Sequence, residues 1–147
     1  MALKRRAMAV WNGTGLEGSG KLTSTSGVLT DTPYSFAARF QSEDGKAGTN
    51  PEELIAAAHA GCFSMALSFQ LSNNGFTPTS LRTEAVITIE KGDTGFGFTG
   101  IHLELEAVIP GISDEKFQEV AGAAKANCPV SKALTAVPIT LSAKLNA

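Results

Sequence analysis

Two residues in this chain can carry thiol chemistry, Cys62 and Cys128, and the chain has no other cysteines. A small secreted fold stapled by disulfides carries several. Two widely separated cysteines in a self-sufficient domain are either inert core residues or chemistry. Free cysteine packs as a small hydrophobe, and that bland role is open to Cys62, which falls in the middle of an apolar helical stretch. Burial alone raises a thiol's pKa, so a reactive Cys62 needs a cation or a helix N-terminus to hold it as a thiolate. Between Ser35 and Cys62 the candidates are Arg39, Lys46 and His59. Lys46 sits in a polar loop, and His59 is mostly neutral at pH 7 unless a carboxylate holds its proton. Arg39 is always charged and can fork onto a carboxylate and a thiolate together. Flanked by Ala37, Ala38 and Phe40, it needs a partner if covered, and Glu52 or Glu53 supplies one.

Other chemistries find less support. His59 and Cys62 are three apart on one helix, but a closed zinc site takes four ligands, and the remaining histidine, His102, lies on the polar side of a strand. No metal site is expected. The glycines at 13, 15, 18 and 20 do not precede a helix, which excludes a phosphate-binding loop, and no Gly-x-Ser-x-Gly elbow is present.

The elements that must position these residues follow from periodicity and punctuation. Residues 3 to 11, 20 to 29 and 34 to 40 read as strands, the third with Tyr34, Phe36, Ala38 and Phe40 on one face and Arg39 on the other. A polar loop over 41 to 49 leads to a strong helix start: Asn50 caps, Pro51 takes the first helical position, and Glu52 and Glu53 oppose the positive end of the dipole. Asn50 and Glu53 also have capping-box spacing. This helix is expected to run to about Asn73 and stop at Asn74-Gly75. Residues 81 to 90 and 101 to 109 alternate as a hairpin, joined by a glycine-rich turn at 92 to 100. Ser113 caps a second helix whose Phe117, Val120, Ala121 and Ala124 form an apolar stripe that Cys128 extends. Pro129 ends that helix and opens a short turn to Leu134. A last strand places Ile139, Leu141, Ala143 and Leu145 inward. The order is β-β-β-α-β-β-α-β, an α+β class with antiparallel sheets around long helices.

At 147 residues, 43% of them apolar, the chain is expected to form a single domain, 1–147, whose core needs no disulfide or metal. Twelve basic against 14 acidic residues, a formal charge of −2, leave no surplus for neutralising phosphates, so neither nucleic acid nor an anionic membrane is an expected partner. The basic run Lys4-Arg5-Arg6 precedes an apolar stretch shorter than the about 7 to 15 residues of an export signal. The stretch Leu54–Leu71 is near the lower limit for a membrane helix, but it holds His59, Gly61, Ser64, Ser68 and Gln70. It reads as a buried helix of a soluble, cytoplasmic protein.

The run from Thr49-Asn50-Pro51-Glu52-Glu53 to Ala60-Gly61-Cys62-Phe63-Ser64-Met65 resembles the central helix of the OsmC/Ohr family, thiol-dependent organic hydroperoxide reductases. Three further segments match in order: Ser26 to Phe40, including Pro33-Tyr34-Ser35-Phe36 and Arg39-Phe40; Gly75-Phe76-Thr77-Pro78; and Asn127-Cys128-Pro129-Val130-Ser131. The Tyr-x-Phe-x-x-Arg-Phe segment places the resemblance on the OsmC side. It implies an OsmC-like fold in which Cys62 is the peroxidatic thiolate, Cys128 the resolving thiol, and Arg39 with Glu52 the pair that activates Cys62; Glu52 takes that role because it follows the proline directly. It further implies a peroxidase without a bound cofactor, recycled by an external dithiol of the dihydrolipoamide type or a lipoylated protein, and a part in oxidative or osmotic stress protection.

Glu52 and Cys62 are ten residues apart, about 15 Å of rise and about 80° of rotation on one straight helix. The Arg39 and Glu52 serving a given Cys62 are therefore expected from a partner subunit, in an intertwined two-fold homodimer. An apolar pocket for organic hydroperoxides would draw on Phe36, Phe40, Phe63, Met65 and Phe69, although such residues are also ordinary core. Two other classes remain: a dimer that binds an apolar ligand with inert cysteines, and a redox sensor whose disulfide changes a surface without turnover.

Overall fold

In a computed structural model describing residues 1–147, the elements run β1 (Ala7–Asn12), β2 (Ser19–Ser24), β3 (Thr32–Tyr34), α1 (Phe36–Phe40), α2 (Pro51–Asn73), β4 (Ser80–Gly92), β5 (Gly95–Val108), α3 (Asp114–Asn127), α4 (Pro129–Ala133) and β6 (Ile139–Asn146). The chain has two compact units, Met1–Leu54 and Ile55–Ala147, with the boundary in the first turn of α2.

The first unit is an antiparallel sheet in the order β1-β2-β3. Gly20 lies opposite both Trp11 and Tyr34, whose rings close over it with centroids 5.3 Å apart; a Cβ there would overlap both rings. β1 starts at Ala7, and β2 stops at Ser24 because its Oγ accepts the Leu29 N–H at 3.0 Å and turns the chain. The third expected strand also stops early, at Tyr34. Ser35 Oγ accepts the Ala38 N–H at 3.1 Å and caps α1. Phe36 and Phe40, four apart, stack with centroids 5.0 Å apart, and the Arg39 guanidinium lies 4.8 Å over the Phe40 ring. Arg39 therefore sits on a helical turn beside the aromatics and not on the far face of a strand.

α2 has the expected bounds, set by local chemistry at both ends. Asn50 Oδ1 accepts the Glu53 N–H at 2.7 Å, and Pro51 occupies the first position. Gly75, at φ +81°, donates to Ser72 O while Phe76 donates to Leu71 O, the Schellman pattern.

The second unit holds the core. β4 and β5 form a hairpin through the two residues Asp93 and Thr94, so the glycine-rich stretch 95 to 100, expected as loop, is strand. β6 pairs with β5 in parallel, which makes this sheet mixed; the α3–α4 crossover is what permits a parallel return. Leu103, Leu105, Ala107 and Ile109 pack with Phe63, Leu67 and Leu71 of α2 and Phe117, Val120, Ala121 and Ala124 of α3. α2 is long and apolar enough to cross a membrane by composition alone, but its stripe His59, Phe63, Leu67 and Leu71 is buried, as in the core helix of a soluble protein. Another stripe stays open: Gly61, Met65 and Phe69 are exposed, the last two at 65% and 66%. A single chain thus buries one face of this helix and leaves another open.

Candidate active site

Cys62 lies midway along α2 and is half-buried; Cys128 ends α3, precedes α4 and is fully buried at the end of the α3 stripe, as its spacing from Ala124 predicts. The two thiols are free and their sulfurs lie 3.0 Å apart, about 1 Å beyond a disulfide bond. Burial pushes the Cys62 thiol above its ordinary pKa, and the hydrogen bond and charge it shares with Cys128 push the same way, against a smaller pull from the Val130 N–H. Burial also raises Cys128, but it is outweighed by hydrogen bonds from Cys62, from the backbone N–H and hydroxyl of Ser131, and from the Val130 N–H, so this thiol ionises more easily than a free one. In the fully reduced pair Cys128 donates to Cys62; once Cys128 ionises, the direction reverses. Residues 55–147 alone therefore favour the thiolate on Cys128. Cys62 needs a positive charge brought to it.

The first unit contains the arginine weighed above as a cation. Arg39 Nε donates to Glu52 Oε1 and Oε2 at 3.0 and 3.3 Å, and Nη2 to Oε1 at 2.6 Å. Glu52 is only 12% exposed and Arg39 35%, so the carboxylate fixes a guanidinium that keeps an open edge. Glu53 is committed elsewhere: its N–H goes to the Asn50 cap and its carboxylate accepts from the Thr49 hydroxyl at 3.0 Å. The residues left two glutamates open as the partner of Arg39; the geometry pairs it with Glu52.

The aromatic candidates divide. Phe63 is wholly enclosed in the core, its packing role, whereas Phe36 and Phe40 are half-buried on α1 and Met65 and Phe69 are open on α2. No three histidine, cysteine or acidic side chains converge as a metal site; His102 Nδ1 instead meets Thr140 Oγ1 at 2.6 Å across β5 and β6. His59 is fully buried, with Nε2 2.7 Å from Ser131 Oγ and Nδ1 without a partner. Desolvation lowers its pKa and keeps it neutral. Sequence reading did not single out Ser131; its one signal is its place in the first turn after Cys128-Pro129.

Residues 43–142 match the family model described as OsmC-like protein. The chain is 48% identical over 145 residues, 99% of each sequence, to peroxiredoxin OsmC of Escherichia coli. It is 33% identical over 115 residues, 78% of this chain and 81% of the relative, to the organic hydroperoxide resistance protein OhrB of Bacillus subtilis. The crystal structure of that OhrB superposes with a TM-score of 0.70 over 96% of this chain and 98% of its own, at 29% identity. An OsmC-like protein from Mycoplasma pneumoniae shares the fold, with a TM-score of 0.77 over the full length of both chains at 18% identity.

Proposed function

The chain belongs to the OsmC-like family, and from that premise we propose that it is a cysteine-based peroxidase that reduces organic hydroperoxides to alcohols and protects against oxidative stress. The observation that carries the reading is the reduced pair of sulfurs 3.0 Å apart, Cys62 half-buried on α2 and Cys128 buried at the end of α3. In the proposed cycle the Cys62 thiolate attacks one peroxide oxygen, the O–O bond breaks, the alkoxide leaves and takes a proton as alcohol, and Cys62 becomes a sulfenic acid. Cys128 displaces the hydroxyl as water and closes a disulfide before further oxidation. An external dithiol of the dihydrolipoamide type, free or carried on a lipoylated protein, returns both thiols and leaves oxidised. No prosthetic group takes part.

Arg39 stabilises the Cys62 thiolate and the charge that develops on the breaking O–O bond, and Glu52 holds its orientation. The pair comes from a second copy of the chain, so residues 1–147 act as one functional domain within a two-fold dimer. Support comes from the ten-residue spacing of Glu52 and Cys62 on α2 and from the open apolar stripe of that helix. Phe36, Phe40, Met65 and Phe69 supply the apolar walls that favour organic hydroperoxides. A resting dithiol suits the reducing cytoplasm.

The test is consumption of cumene or tert-butyl hydroperoxide with excess dihydrolipoamide or dithiothreitol by the wild type, Cys62→Ser and Arg39→Met. Turnover in the wild type that is lost in both variants supports the reading. A wild type inactive with every dithiol, or a fully active Cys62→Ser, rejects it.

A further inference from the structure

We propose that His59 and Ser131 form a positioning pair for Cys128: the imidazole, carrying its proton on Nε2, turns the Ser131 hydroxyl onto Cys128 Sγ and so speeds attack of that sulfur on oxidised Cys62. The inference rests on the proposed peroxidase cycle and assigns the pair to its second chemical step alone.

The buried stripe of α2 reads His59, Phe63, Leu67, Leu71. A leucine at 59 would continue it without burying a polar ring. The histidine there is fully enclosed, with Nε2 2.7 Å from Ser131 Oγ and Nδ1 without a partner. Of the two neutral tautomers, one leaves a buried N–H unpaired at Nδ1 and the other leaves only a bare lone pair. Orphaned buried donors are much the rarer, so the proton belongs on Nε2. Nε2–H then donates to Ser131 Oγ, and the hydroxyl proton must point elsewhere. The acceptor we assign to it is Cys128 Sγ: the Ser131 N–H already donates to that sulfur at 3.5 Å, and the Ser131 side chain is among the groups that ease its ionisation. One residue thus aims two donors at the resolving sulfur, and the histidine removes the rotational freedom of the second.

During resolution a lone pair of the Cys128 thiolate attacks the sulfur of the Cys62 sulfenic acid. The S–S bond forms, the S–O bond breaks, and the departing hydroxide takes up one proton to become water, matching the proton Cys128 gave up on ionising. The oxidant is the peroxide already consumed. His59 keeps its proton throughout and touches no reacting atom.

Rapid-mixing of full-length protein with cumene hydroperoxide separates the two steps: peroxide loss reports Cys62, and the Cys62–Cys128 disulfide, read by mass spectrometry after acid quench, reports resolution. Ser131→Ala and His59→Leu are expected to consume the first equivalent of peroxide at the wild-type rate but to close the disulfide about tenfold more slowly, the loss of roughly one hydrogen bond to a charged group. Dimedone-trapped sulfenic acid rises accordingly. Ser131→Thr and His59→Gln, which keep a hydroxyl and an N–H in place, recover part of the rate, and they carry the same test should the apolar variants fail to fold. In a Cys62→Ser background, Ser131→Ala slows alkylation of Cys128 by iodoacetamide about tenfold. A wild type that forms no disulfide with peroxide overturns the cycle and this inference with it. A wild type that forms it, with variants equal to it or slowed alike in both steps, overturns this inference alone.

Discussion

Cys62 and Cys128 share a hydrogen bond, and the asymmetry of their surroundings decides which of them needs help. Burial keeps the proton on Cys62 while donors around Cys128 draw its proton off, so in the proposed cycle Arg39 is expected to have its largest effect at the first step. Arg39→Met is expected to lower kcat/KM for cumene hydroperoxide by about 10² to 10³. The sign of the pH dependence follows: a raised thiol pKa means fewer Cys62 thiolates as pH falls, so the peroxide rate drops toward acid, and it does so from a higher pH in Arg39→Met than in wild type. A pH series of single-turnover rates reads both. His59 gives a stability prediction. Its pKa is lowered by burial from 6.5, so below that pH the unfolded chain binds a proton the folded one refuses, and stability is lost as pH falls through 6.5. Urea midpoints on either side of pH 6.5 are expected to differ less in His59→Gln than in wild type. At this scale the sequence made Cys62, Cys128 and Arg39 legible as candidates by their chemistry, but the choice of Glu52 over Glu53 came through a resemblance. The Ser131–His59 contact was not legible, because 72 residues separate its partners and only the fold brings them together.

Elements whose ends carry their own chemistry were read correctly. α2 is bounded by the Asn50 cap and the positive φ of Gly75; Asn50→Ala and Gly75→Ala are each expected to cost about 1 kcal/mol, seen as a lower urea midpoint at unchanged slope. α3 behaved alike, with Ser113 as its cap and its predicted stripe buried. The misreadings share a physical cause. Tyr34, Phe36, Ala38 and Phe40 alternate as a strand does, yet Phe36 and Phe40 also meet at helical spacing, and the Ser35 cap tips a five-residue segment into α1. The stretch 95 to 100 looks like loop by its glycines, but the two-residue turn at Asp93-Thr94 fixes the register and carries β5 through it. Strand direction leaves no trace in alternation, so the parallel pairing of β6 with β5 was invisible.

For the whole molecule, the open stripe Gly61, Met65 and Phe69 is the feature a second copy would cover. Met65→Glu combined with Phe69→Glu is expected to shift the protein from dimer to monomer in sedimentation and to abolish peroxide turnover while the second unit keeps its helical circular dichroism. The division at Leu54 was not legible in the sequence, because where contacts thin out depends on which elements meet, and composition does not record that. Mixing two inactive proteins tests whether the site is shared between subunits. Cys62→Ser supplies an intact Arg39 and Arg39→Met supplies an intact Cys62, so after subunit exchange a site built across the dimer regains about a quarter of wild-type turnover, one working site in each mixed dimer. If exchange is confirmed and the mixture stays inactive, the arginine and the cysteine of one site belong to the same chain, and no site is built across the dimer.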